Sequence, residues 1–150
     1  MLAWRKLHLV TYGNGWHYEA SLFQSVQNRD FVKPAGGLWA SPVNSSYGWK
    51  DWCQAENFGD LTSYFTFWLT GQVLVIDHAE DMLSLPWRAP YPAMSSLTFL
   101  DYEKIAAEGA AAIHLTVRGQ QETRFTFPKN LYGWDCECVL VLNKDCIRNV

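Results

Sequence analysis

The sequence has no CxxC pair, no apolar run near the length of a membrane span and no block of like charge. Each absence removes a class of protein. Without CxxC, a zinc ribbon or a thioredoxin-type redox site is not expected. Its four cysteines, Cys53, Cys136, Cys138 and Cys146, read as reduced core residues of a cytoplasmic protein. Cys136 and Cys138 stand too close along one strand to form an ordinary disulfide. The N-terminus shows no long apolar segment followed by a cleavage site, so no secretory signal is expected and no membrane partner. Lys and Arg are scattered and the net charge is −3, which argues against a generic nucleic-acid binder built on phosphate contacts.

Nucleotide and hydrolase signatures are missing as well. There is no GxGxxG after a strand, no GxxxxGK[ST], no HExxH and no GxSxG. The four histidines, His8, His17, His78 and His114, lack metal-ligand spacing. Asp135 and Glu137 would suit magnesium in a nuclease, but Val139 stands where such sites commonly place a lysine. No metal is expected.

What is present is apolar and aromatic. Hydrophobic residues make up 49% and charged ones 18%, and there are eight tryptophans. A chain of 150 residues with this composition folds as one domain with a substantial core. Residues 5–12 (RKLHLVTY) read as a strand, with Leu7, Leu9 and Thr11 on one side and Lys6, His8 and Val10 on the other. Gly13, Asn14 and Gly15 break it. A polar stretch, 24–30, reads as a loop or lid. Pro34 and Gly36-Gly37 turn the chain into a short strand, 38–41, stopped by Pro42. Asn44, Ser45 and Ser46 are candidate caps for a helix over 47–58, whose Trp49, Trp52, Cys53 and Glu56 share a face.

Further on, 61–69 is strand-prone and 73–76 (VLVI) reads as a buried strand, with Gly71 between. Asp77 would cap a short helix over 79–85, ended by Pro86. Residues 87–94 read as a loop, 102–108 as a helix stopped by Gly109, and 112–116 as a strand. A polar turn over 117–122 and a further strand over 124–127 follow. Many short strands with a few short helices indicate α+β, without regular βαβ alternation.

The last strand carries the main chemical signal. In 131–143 (LYGWDCECVLVLN) a turn precedes two acids one residue apart, Asp135 and Glu137, and then an apolar run. Carboxylates at the mouth of a buried strand are costly unless paired or used. One bland reading is that they guard a sheet edge.

Three pieces taken in order resemble the ADP-ribosyltransferase superfamily: RKLHLVTY, GGLWASP with the Trp helix behind it, and the Asp-Cys-Glu strand. They cover about a third of the chain. The resemblance implies a split β-sheet with NAD as co-substrate in the cleft. It implies Glu137 as the catalytic carboxylate and Asp135 as the group orienting or deprotonating the acceptor. His8 and Ser41 would hold the riboses, Trp49 or Trp52 would stack on nicotinamide, and Gly37 would let the ligand approach. Departures are Leu9 where glycine often follows the histidine, Trp for Tyr in the ring position, and Asp135 where Glu or Gln is usual.

The chain is thus expected to be a mono-ADP-ribosyltransferase acting on an intracellular macromolecule, protein rather than nucleic acid, for example a bacterial or phage effector in phage–host conflict. The alternative is a non-catalytic ligand- or protein-binding module of the same fold, with a metal-dependent nuclease ranked below it.

Overall fold

A computed structural model describes residues 2–13, 18–30, 32–89, 98–126, 129–131 and 133–150. The expectations for Asn14, Gly15, Tyr132, Phe127 and most of the 87–94 loop fall outside these residues. The elements, in chain order, are strand β1 (Leu2–Tyr12), β2 (Leu38–Pro42), helix α1 (Trp49–Glu56), β3 (Tyr64–Ile76), β4 (Trp87–Arg88), β5 (Phe99–Leu100), α2 (Tyr102–Ala107), β6 (Ala112–Leu115), α3 (Val117–Thr123), β7 (Cys138–Val141) and β8 (Ile147–Arg148). The fold is α+β with short helices.

Six strands form one sheet in the order β1-β2-β7-β6-β3-β8, and β1 also pairs with β3. That second pairing closes five strands into a ring. The closure depends on β3, an uninterrupted strand of 13 residues. One of its edges carries all eleven residues of β1, from Leu2↔Leu74 to Tyr12↔Tyr64. The other carries β6 at Val73–Ile76 and β8 at Trp68 and Leu69. The sequence suggested two strands split at Gly71. The chain instead runs straight through this position, which is a glycine because a Cβ there would lie 2.8 Å from the Ala111 Cβ. A residue without a side chain is what lets the neighbouring segment pack that closely.

Strand alternation sorts the apolar residues into two clusters. The register puts Leu9 opposite Phe67, Val73 opposite Ala112, Ala112 opposite Val141 and Ala40 opposite Val139. These residues form one buried cluster on the inner face of the ring. Ile113, Leu115, Cys138 and Leu140 face outward into a second cluster. The two expected faces of β1 are found: Leu9 belongs to the inner cluster, while His8 stacks on Trp68 at 4.4 Å.

The outer cluster is covered by α1, by α2 and by the segment before β7. Tyr102, on α2, is capped into place by Asp101, whose side chain accepts from Lys104 N–H. Trp134 is 2% exposed, donates its indole N–H to the Tyr102 hydroxyl at 3.1 Å and meets Trp39 edge-on. Burial pushes the Tyr102 phenol up to about 12, so it stays neutral.

Two local expectations change. Residues 117–122, expected as a turn, begin α3. Thr116 caps it by accepting from Gly119 N–H, and a Cβ on Gly119 would lie 2.1 Å from the Ile76 carbonyl oxygen. Gly119 is there for contact with β3, and does not break the helix. Residues 124–126 form no strand. The short helix after Asp77 is a 3-10 turn, Ala79–Ser84, capped by the Asp81 carboxylate, which accepts from the N–H groups of Asp77 and His78.

Candidate functional site

Between β1 and β2 the ladder holds only at Leu9↔Pro42 and Val10↔Ser41. Beyond that the strands are bridged by a side chain, as Thr11 Oγ1 donates to the Trp39 carbonyl at 2.8 Å. Along this seam lies a cavity of about 500 Å³, within the usual range for small-molecule sites. Its wall combines Tyr12, Tyr18, Trp39, Trp49 and Phe65 with Gly37, Ser41, Lys33 and Cys138. Gly37 adopts φ +66°, and a Cβ there would lie 2.7 Å from a Leu140 methyl. Lys33 Nζ sits 5.1 Å from the centre of the Trp39 ring, a cation–π contact that places a positive charge on the wall.

Ser41 joins the cavity to the acid-bearing strand. The residue is 2% exposed, and its hydroxyl donates to the Glu137 carbonyl at 2.8 Å and accepts from Trp49 N–H at 3.0 Å. One buried hydroxyl thus fixes the start of α1 against the start of β7. Gly48 N–H donates to the Asp51 carboxylate, closing the first turn of the helix. The cap is Gly48, not the expected Asn44, Ser45 or Ser46. Trp49 and Trp52 stack at 5.0 Å, with Phe58 edge-on to both. Cys53 is buried, but Glu56, expected on the same face, is exposed because the helix ends there.

The Glu137 carboxylate accepts from His114 Nε2 at 2.7 Å, with both side chains 12% exposed. Register puts His114 opposite Val139, so the pair stands where β6 ends and β7 begins. Burial alone would raise the Glu137 carboxyl. Hydrogen bonds from His114 and Ser45, with the charge on His114, outweigh it and hold the group below the usual carboxylate range. Glu137 is therefore ionised at neutral pH. Asp135 is half-buried and lies 3.9 Å from Arg124. The two acids have separate partners.

Gly37, Ser41 and Trp49, singled out from sequence, meet in one cavity. Glu137 is tied to it through its backbone, while its side chain turns to His114. Trp52 lies behind Trp49, and His8 is engaged with Trp68, over which Lys6 Nζ sits at 5.1 Å. Sequence reasoning missed His114. Ala112–Leu115 reads as a strand, but only its antiparallel register with β7 brings residues 23 apart into contact. It also missed Tyr18 and Lys33.

The cysteines are all free, with Cys53, Cys136 and Cys138 buried and Cys146 half-buried. Cys136 and Cys138 stand with their sulfurs 3.3 Å apart. The Cys138 thiol and burial together push the Cys136 thiol far up, so Cys136 stays protonated. Among the described residues, no three His, Cys, Asp or Glu side chains are placed to hold a metal ion, and no helix is long and apolar enough to cross a membrane.

No known protein family, no curated protein and no solved structure matches the chain.

Proposed function

We propose that the seam cavity binds NAD and that the chain is a small mono-ADP-ribosyltransferase built on this α+β fold. One observation carries the reading. Gly37, Ser41 and Trp49, the residues whose sequence motifs imply NAD contact, line a single cavity of ligand size. Its aromatic wall suits a flat ring, and Lys33 offsets phosphate charge there.

The chemistry asked of Glu137 is electrostatic. When the bond between the ribose C1′ and nicotinamide breaks, the electron pair leaves with the ring and nicotinamide departs neutral. Positive charge develops at C1′, as in glycoside cleavage. An ionised carboxylate beside the sugar stabilises that charge, and His114 and Ser45 keep Glu137 ionised. The acceptor then bonds to C1′ and gives up its proton, with Asp135 in the orienting role. A protein acceptor inside a bacterial cell or phage-infected host is the proposed target.

A second reading is favoured by one contact. The Glu137 carboxylate is occupied by His114, and its side chain is not part of the cavity wall. On this reading the same cavity binds a flat ligand without turnover. The readings separate by incubating the protein with NAD and candidate proteins, then measuring released nicotinamide and target mass. Transfer that falls by about 10²–10³ in Glu137→Gln supports the enzyme. NAD binding without nicotinamide release supports the binding module, and absence of NAD binding contradicts the leading proposal.

A further inference from the structure

The seam cavity is mostly apolar, and its hydrogen-bonding groups are largely used by the protein itself. Ser41 bridges Glu137 and Trp49, and Thr11 donates to the Trp39 carbonyl. Tyr18 is different. It lies on the cavity wall with its ring 6.1 Å from Phe65, and its hydroxyl is buried without a hydrogen-bond partner among the described residues. Buried hydroxyls almost always have a partner, and leaving one unpaired costs the desolvation of that group. An unpaired donor on a residue of the cavity wall is what a ligand-recognition group is expected to look like before the ligand arrives.

We infer that the Tyr18 hydroxyl is a specificity-determining group that donates a hydrogen bond to an uncharged oxygen of the ligand, either a sugar hydroxyl or an amide carbonyl. This rests on the reading of the seam cavity as the NAD site. Burial, and then the negative charge of Asp145, raise the Tyr18 phenol, so it stays a neutral donor across physiological pH. The same negative charge disfavours an anion beside Tyr18. A phosphate would go toward Lys33 and not toward Glu19, the carboxylate-bearing residue of the wall.

The pairing has a signature that a structural tyrosine lacks. Tyr18→Phe removes an unpaired buried hydroxyl and keeps the ring against Phe65. The free protein is expected to melt at the same temperature or higher, while ligand affinity falls about tenfold. The experiment is thermal melting of the full chain, wild type and Tyr18→Phe, followed by calorimetric titration of both with NAD and with ADP-ribose, which lacks the nicotinamide carboxamide. Unchanged melting with weaker binding of both ligands assigns the oxygen to a ribose. Weaker binding of NAD alone assigns it to the nicotinamide carbonyl.

A lower melting temperature for free Tyr18→Phe would overturn the inference, because the hydroxyl would then have a structural partner. Wild-type binding that Tyr18→Phe leaves unchanged would also overturn it, with the NAD reading intact. If wild type bound neither ligand, the NAD reading would fall and this inference with it.

Discussion

His114→Ala is the sharpest probe of how the protein holds Glu137. The imidazole and the carboxylate meet at 2.7 Å, each side chain only 12% exposed. Removing the imidazole leaves a buried carboxylate short of a hydrogen bond, which commonly costs about 1–3 kcal/mol and more for a charged group. The bond from Ser45 remains and some water reaches the carboxylate, so the expected loss is about 2–4 kcal/mol. In a chain of this size that lowers the melting temperature by roughly 5–15 °C.

The effect depends on pH in a definite direction. Glu137 titrates below the usual carboxylate range in the folded chain, so it binds fewer protons folded than unfolded. Its contribution is full above the unfolded value and is lost as pH falls through the folded one. The stability gap between wild type and His114→Ala is therefore widest near neutrality and narrows in acid, below the ordinary carboxylate range. Urea unfolding at stepped pH measures it, with a shifted midpoint and an unchanged slope. A loss under about 1 kcal/mol, or a gap that widens in acid, would refute the claim that His114 holds Glu137 ionised.

Other expectations follow from single contacts. Ser41→Ala leaves the Glu137 carbonyl and Trp49 N–H without their buried partner and is expected to cost about 1–3 kcal/mol, read by chemical unfolding. Gly119→Ala places a methyl where the Ile76 carbonyl stands, so α3 must shift; a loss of about 1–3 kcal/mol is expected, whereas an unchanged melting temperature would refute the packing. Cys136 and Cys138, both buried, are expected to resist a thiol reagent until denaturant is added, and fast labelling of either in the folded chain would contradict their placement.

How much of this was legible in the sequence depended on the range of the interaction. Alternation along β1 placed His8 and Leu9 on opposite faces correctly, because strand side chains obey a local period. Trp49, Trp52 and Cys53 came from helical spacing in the same way. What failed was non-local. Gly71 reads as a gap between two strands and Gly119 falls in a stretch read as a polar turn, yet each is small because another part of the chain packs against it. The same holds for the site. Gly37, Ser41 and Trp49 could be proposed from short motifs, but Glu137 acquires His114 only through the register of β6 with β7. The seam exists because β1 and β2 pair over so few residues, and no local pattern announces that.

The most direct test of the NAD assignment is a crystal structure of the chain grown with NAD. The account predicts ligand density in the seam between β1 and β2, with a flat ring against Trp39 or Trp49, a hydrogen bond from Tyr18 and a ribose within reach of Glu137. A seam filled by side chains, or NAD bound anywhere else on the surface, would contradict it.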